Sequence, residues 1–149
     1  MPTEEILNAI PHRPPFLFVD EIVERAEDTL TAKRHIGADE YFFEGHYPGN
    51  PIMPGVLISE AVFQTGGVYF HEILAKDEDA DPDIVPVLTK IGEARFRTPV
   101  YPGDDIFITV KFKEKTGQFM FMDGSVKNGK GKRVLSISFC VAFAKTPKA

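Results

Sequence analysis

The amino-acid sequence predicts an α+β fold: one long buried helix set against an antiparallel sheet of five to six strands. Three observations carry that expectation. Residues 56–75 form an almost continuous apolar run, in which Glu60, Gln64, Gly67 and His71 share one helical stripe. Everything after residue 84 reads as strands joined by tight turns, with no helical period. Strands segregated from the helix, rather than alternating with it, point away from a parallel sheet. At 149 residues, the chain is expected to form one domain over positions 1–149, large enough to bury a single core.

The elements follow in order. Thr3 is placed to cap a short helix through Ala9, with Glu4 and Glu5 at its positive end. Pro11, Pro14 and Pro15 hold the next segment extended. Residues 16–23 and 29–36 read as strands around a polar turn. Residues 37–55 form a loop broken by Gly45, Pro48, Gly49, Pro51, Pro54 and Gly55. Its tyrosines and phenylalanines argue for an ordered, functional loop. The helix behind it spans roughly 30 Å at about 1.5 Å per residue. Gly66 and Gly67 each cost it about 1 kcal/mol of propensity, a cost that suits close approach of another backbone, such as that of a symmetry mate. Residues 76–83 are acidic and read as a solvated connection. Strands are expected over 85–98, 106–115, 118–127 and 132–145, with Asn128-Gly129-Lys130-Gly131 as a hairpin. Such a sheet leaves edges open, which predicts edge-to-edge dimerisation.

Composition narrows the function. A net charge of −5 lacks the basic footprint of a general nucleic-acid binder. Lys90, Arg95, Arg97, Lys111, Lys113, Lys132 and Arg133 remain candidates for a local basic patch. One cysteine, Cys140 in an alternating apolar strand, fits a buried inert thiol. The histidines fall at irregular spacing and give no metal motif. No apolar run reaches membrane-spanning length and the acidic start lacks a signal-peptide core, so the expectation is a soluble, cytoplasmic protein with no membrane partner.

The chemistry concentrates in residues 42–64. His46, between Gly45 and Tyr47-Pro48, sits where the backbone is constrained, and rigid loops hold catalytic groups well. An imidazole suits general-base work. Glu60 lies about one turn into the apolar helix, where a carboxyl is costly without a partner or a task. It is either a structural carboxylate or the acid of an acid–base pair with His46. Gly55 precedes the helix, and its N–H can face a bound carbonyl oxygen at the positive helix end, or can simply begin the helix. Gln64, one turn beyond Glu60, is placed to orient it or a water, or is a satisfied core amide. The His12-Arg13-Pro14-Pro15-Phe16 run matches no metal or nucleotide site and reads as a packing segment.

Together these residues resemble a known family. The matching segments are residues 7–20 with Pro-His-Arg-Pro-Pro-Phe-Leu-Phe-Val-Asp, Gly-His-Tyr-Pro at 45–48, Pro-Ile-Met-Pro-Gly-Val-Leu at 51–57, Glu-Ala-x-x-Gln at 60–64, residues 93–104 and the terminal strands. They resemble the beta-hydroxyacyl-acyl-carrier-protein dehydratases of FabZ type, a hotdog-fold family, over nearly the whole chain. The resemblance implies a helix wrapped by the sheet, and a homodimer or a trimer of dimers. It implies that His46 of one subunit faces Glu60 of its neighbour. The activity implied is reversible dehydration of a (3R)-hydroxyacyl thioester on acyl carrier protein to the trans-2-enoyl thioester, in fatty-acid biosynthesis, with no cofactor or metal. His46 would then take the C2 proton, the Gly55 amide would hold the enolate oxygen, and Glu60 would protonate the leaving hydroxyl. Phe63, Thr98 and the acidic 76–83 segment depart from the family's pattern. The same fold hosts acyl thioesterases, and a specialised dehydratase of a secondary lipid or polyketide pathway would share these residues.

Overall fold

A computed structural model describes residues 1–145. In chain order the elements are α1 (Glu4–Ala9), β1 (Glu21–Arg25), β2 (Thr29–His35), α2 (Tyr41–Glu44), α3 (Gly55–Ala75), β3 (Ile84–Phe96), β4 (Asp105–Thr116), β5 (Phe119–Asn128) and β6 (Arg133–Lys145). The six strands form one sheet in the order β1-β2-β4-β5-β6-β3, and every pairing is antiparallel. Thr3 caps α1 by accepting from the Ile6 amide. The Asn128 side chain accepts from the Lys130 and Lys132 amides to shape the expected hairpin, with Gly131 at φ 79°.

Helix α3 lies against the sheet face lined by alternate residues: Ile106, Ile108 and Val110 of β4, Met120, Met122 and Val126 of β5, and Leu135, Ile137 and Phe139 of β6. Contact is closest at Gly124 of β5, where an added Cβ would run into Val62 of α3. The opposite face carries hydroxyls and charges, including a Thr31–Thr109 hydrogen bond of 2.8 Å.

Three expectations are corrected. Residues 16–20 are not strand: Gln64 of α3 accepts from the Phe18 amide and donates to the Phe16 carbonyl, while the Phe16 amide donates to the Arg13 carbonyl and the Asp20 amide to the Lys33 carbonyl. Residues 37–55 are not all loop, since Tyr41–Glu44 makes one helical turn that buries Phe42 and Phe43. The paired glycines do not receive another backbone. An added Cβ at Gly66 would meet the Phe139 ring at 3.1 Å, and one at Gly67 would meet Ile10 at 3.2 Å, so side chains of the same chain fill that space.

The two sheet edges differ. β1 is short, charged and interrupted by a register shift. β3 runs for 13 residues, among the described residues pairs only with β6, and leaves Val87, Leu88, Ile91 and Phe96 exposed. A long, partly apolar open edge invites pairing with another chain.

Candidate active site

The loop that carries His46 is fixed at both ends. At its start, Arg34 of β2 donates to Glu40 at 2.7 Å and to the buried Asp20 at 3.1 Å. Asp20 in turn accepts from the His35 amide at 2.8 Å. Phe42 and Phe43 anchor the following turn in the core. At its end, the Met53 amide donates to the buried Val100 at 2.8 Å. Between these anchors the His46 amide donates to the Phe43 carbonyl, Tyr47 adopts φ 50°, and Gly49 adopts φ 88°.

This geometry settles which ring nitrogen His46 presents. Its Nδ1 lies 2.9 Å from the Ile52 carbonyl oxygen. A carbonyl only accepts, so Nδ1 carries a proton, and in the neutral ring the lone pair is on Nε2. The ring also stands edge-on to Tyr47, at 4.7 Å between centroids.

Glu60 is partly exposed, at 22% for its side chain, and has two neighbours on one oxygen. Gln64 Nε2 donates to Glu60 Oε2 at 2.9 Å, and His12 Nε2 lies 3.7 Å from the same oxygen. Gln64 is itself buried and fully engaged, bonded to Glu60 and to the backbone at both Phe16 and Phe18. The carboxylate opens on a largely apolar cavity of about 320 Å³, whose walls include His12, Phe63, Phe70, Leu74 and Leu88.

Gly55 begins α3, and no side chain caps that end. Phe96 of β3 packs directly on it, since an added Cβ would lie 2.9 Å from the ring. A side chain at that position would have to displace the half-exposed Phe96 ring, and no unusual backbone angle favours glycine there.

The structure thus brings Glu60 and Gln64 together and places Gly55 at the start of their helix. It does not join His46 to Glu60 within the chain: among the described residues no hydrogen bond or ion pair links them, and His46 is absent from the wall of the Glu60 cavity. The candidate basic residues do not form one patch: Lys90 and Lys113 share a hollow that also holds Glu114 and Asp123. Arg95 is paired with Glu93 and Lys113 with Asp123, while Lys132 lies in a separate hollow by the hairpin. Sequence reasoning missed His12. Its signal was the same as that of His46, a histidine held among chain-stiffening residues, here Pro11 and Pro14.

One long helix wrapped by a six-stranded antiparallel sheet in this strand order is the hotdog fold. A solved structure of the dehydratase heterocomplex ApeI:P from Xenorhabdus doucetiae shares it, with a TM-score of 0.79 at 14% identity over 95% of this chain and 91% of that one. The family model of the FabA-like domain matches residues 10–138. The 3-hydroxyacyl-[acyl-carrier-protein] dehydratase FabZ of Petrotoga mobilis is 40% identical over 83% of this chain and 85% of its own length. The FabZ of Caulobacter sp. K31 is 39% identical over 97% of this chain and 86% of its own. The chain belongs to the FabA-like family, among its FabZ-type dehydratases.

Proposed function

We propose that the protein catalyses reversible dehydration of (3R)-3-hydroxyacyl chains on acyl carrier protein to trans-2-enoyl chains, in fatty-acid biosynthesis. The observation that carries the chemistry is the tautomer of His46. Its Nδ1–H is held by the Ile52 carbonyl, so Nε2 is a preoriented proton acceptor. In the forward direction Nε2 takes the C2 proton, made acidic by the thioester carbonyl. The C2–H electron pair forms the C2=C3 double bond, the C3–O bond breaks, and Glu60 supplies the proton with which the hydroxyl leaves as water. The Gly55 N–H, at the positive end of α3, stabilises the negative charge that builds on the thioester oxygen. Gln64 donates to Oε2 of the Glu60 carboxyl and leaves Oε1, which carries the proton to be given, for the substrate.

The working unit is a homodimer, assembled on the open edge of β3. Leu88 is exposed on that edge and also lines the cavity beside Glu60, so a second copy seated there would close the cavity. That copy would supply His46 to the Glu60 of the first, which accounts for their separation within one chain. The cavity takes the acyl tail.

Enoyl absorbance with a 3-hydroxyacyl carrier-protein substrate tests this reading. Enoyl product from wild type, lost in folded His46→Ala and Glu60→Gln proteins, is expected. Release of free thiol without enoyl product from the wild type overturns it in favour of a thioesterase.

A further inference from the structure

We infer that His12 is a positioning residue for Glu60, donating through Nε2 to Oε2 so that, with Gln64, it turns Oε1 into the cavity; this rests on the dehydratase reading above. Two observations converge on it. The Nδ1 of His12 is buried and, among the described residues, has no hydrogen-bond partner. A buried N–H without an acceptor costs more than a bare ring nitrogen does, so the proton belongs on Nε2. That nitrogen lies on the side of the Glu60 carboxylate, 3.7 Å from Oε2, a span closed by a small ring movement.

The arm that carries His12 is built to hold it there. The Arg13 guanidinium donates to the carbonyls of Leu7, Ile10 and His12 itself, at 2.8, 2.9 and 2.6 Å. From the other side, Gln64 grips Phe16 and Phe18. His12 is therefore fixed by backbone contacts on both flanks, with its ring in the cavity wall beside Glu60. Rigid support of this kind is what keeps a reacting group within a few tenths of an ångström of its working position. Two donors on Oε2 also oppose rotation of the carboxylate, which one donor alone would allow.

The test has a kinetic arm and a spectroscopic one. His12→Phe, of similar volume but without a donor, is expected to lower kcat about ten- to a hundredfold with KM within about twofold. His12→Gln, which restores a side-chain N–H, is expected to recover part of that loss. An unchanged kcat in His12→Phe, or a loss confined to KM, overturns the inference. Independently of turnover, nitrogen-15 spectra of labelled histidine, assigned by the signal lost in His12→Gln, read the ring tautomer. Nε2-protonated His12 in wild type, with its Nε2 signal shifted in Glu60→Ala, is expected; an Nδ1-protonated ring in wild type, or an Nε2 signal unmoved by Glu60→Ala, contradicts the pairing. If wild type yields no enoyl product, the dehydratase reading falls while the spectra still decide the His12–Glu60 contact.

Discussion

The loop over residues 37–54 and the arm over residues 10–20 flank the same helix, each carries one histidine, and they fix it by opposite ends of the ring. In the loop, Nδ1 of His46 is tied to a backbone carbonyl, so the far nitrogen is a proton acceptor. In the arm, Nδ1 of His12 is buried without a partner among the described residues, so the far nitrogen is a donor facing a carboxylate. Identical side chains take different work because the atom behind the ring differs. The anchors differ as well. Arg34 ties Glu40 at the start of the loop to Asp20 at the end of the arm, whereas the middle of the arm is hydrogen-bonded to α3 through the Gln64 amide.

That difference orders the expected effects of substitution. Removing His46 takes away the proton acceptor itself, so His46→Ala should cost well over about 10²-fold in kcat with unchanged thermal unfolding. A loss smaller than that of His12→Phe would reverse the roles of the two rings. Gln64→Met strips the arm of its anchor and leaves the buried Phe18 amide without an acceptor. It should destabilise the protein by about 1–3 kcal/mol in urea unfolding and lower kcat together. Arg34→Met unties the loop instead. Asp20 keeps the His35 amide, so about 1–2 kcal/mol is expected, with a kcat decrease that the arm variants do not reproduce in KM. The smallest effect belongs to Arg25, which joins Glu5 of α1 to Glu72 of α3 on the surface. Arg25→Ala should cost under about 1 kcal/mol and leave turnover unchanged, and a large kinetic effect there would show that the arm responds to distant surface contacts.

The parts legible in the sequence were those whose signal is local. The helix behind Gly55 announces itself by its period, the hairpin at Asn128 by turn chemistry, and the His46 loop by glycines and prolines that stiffen it. The missed features depend on partners far along the chain. Residues 16–20 have the composition of a strand, but the Phe18 amide and the Phe16 carbonyl bond to the Gln64 side chain instead of a neighbouring strand, and no local pattern encodes that. The turn at Tyr41–Glu44 is held by burial of Phe42 and Phe43 rather than by helix propensity. Gly66 makes room for Phe139, a partner on β6 that periodicity cannot name. His12 looked like packing because its significance lies in where Glu60 is.

The pairing of His46 with the Glu60 of a second copy is tested most directly by complementation. His46→Ala and Glu60→Gln proteins, each inactive alone, are unfolded and refolded as an equal mixture, and enoyl formation is followed. In a twofold dimer with shared sites, mixed pairs regain one intact site, and about a quarter of wild-type activity should return. No recovery, with mixed dimers demonstrably formed, would place both residues of each site in one chain and contradict the shared-site arrangement.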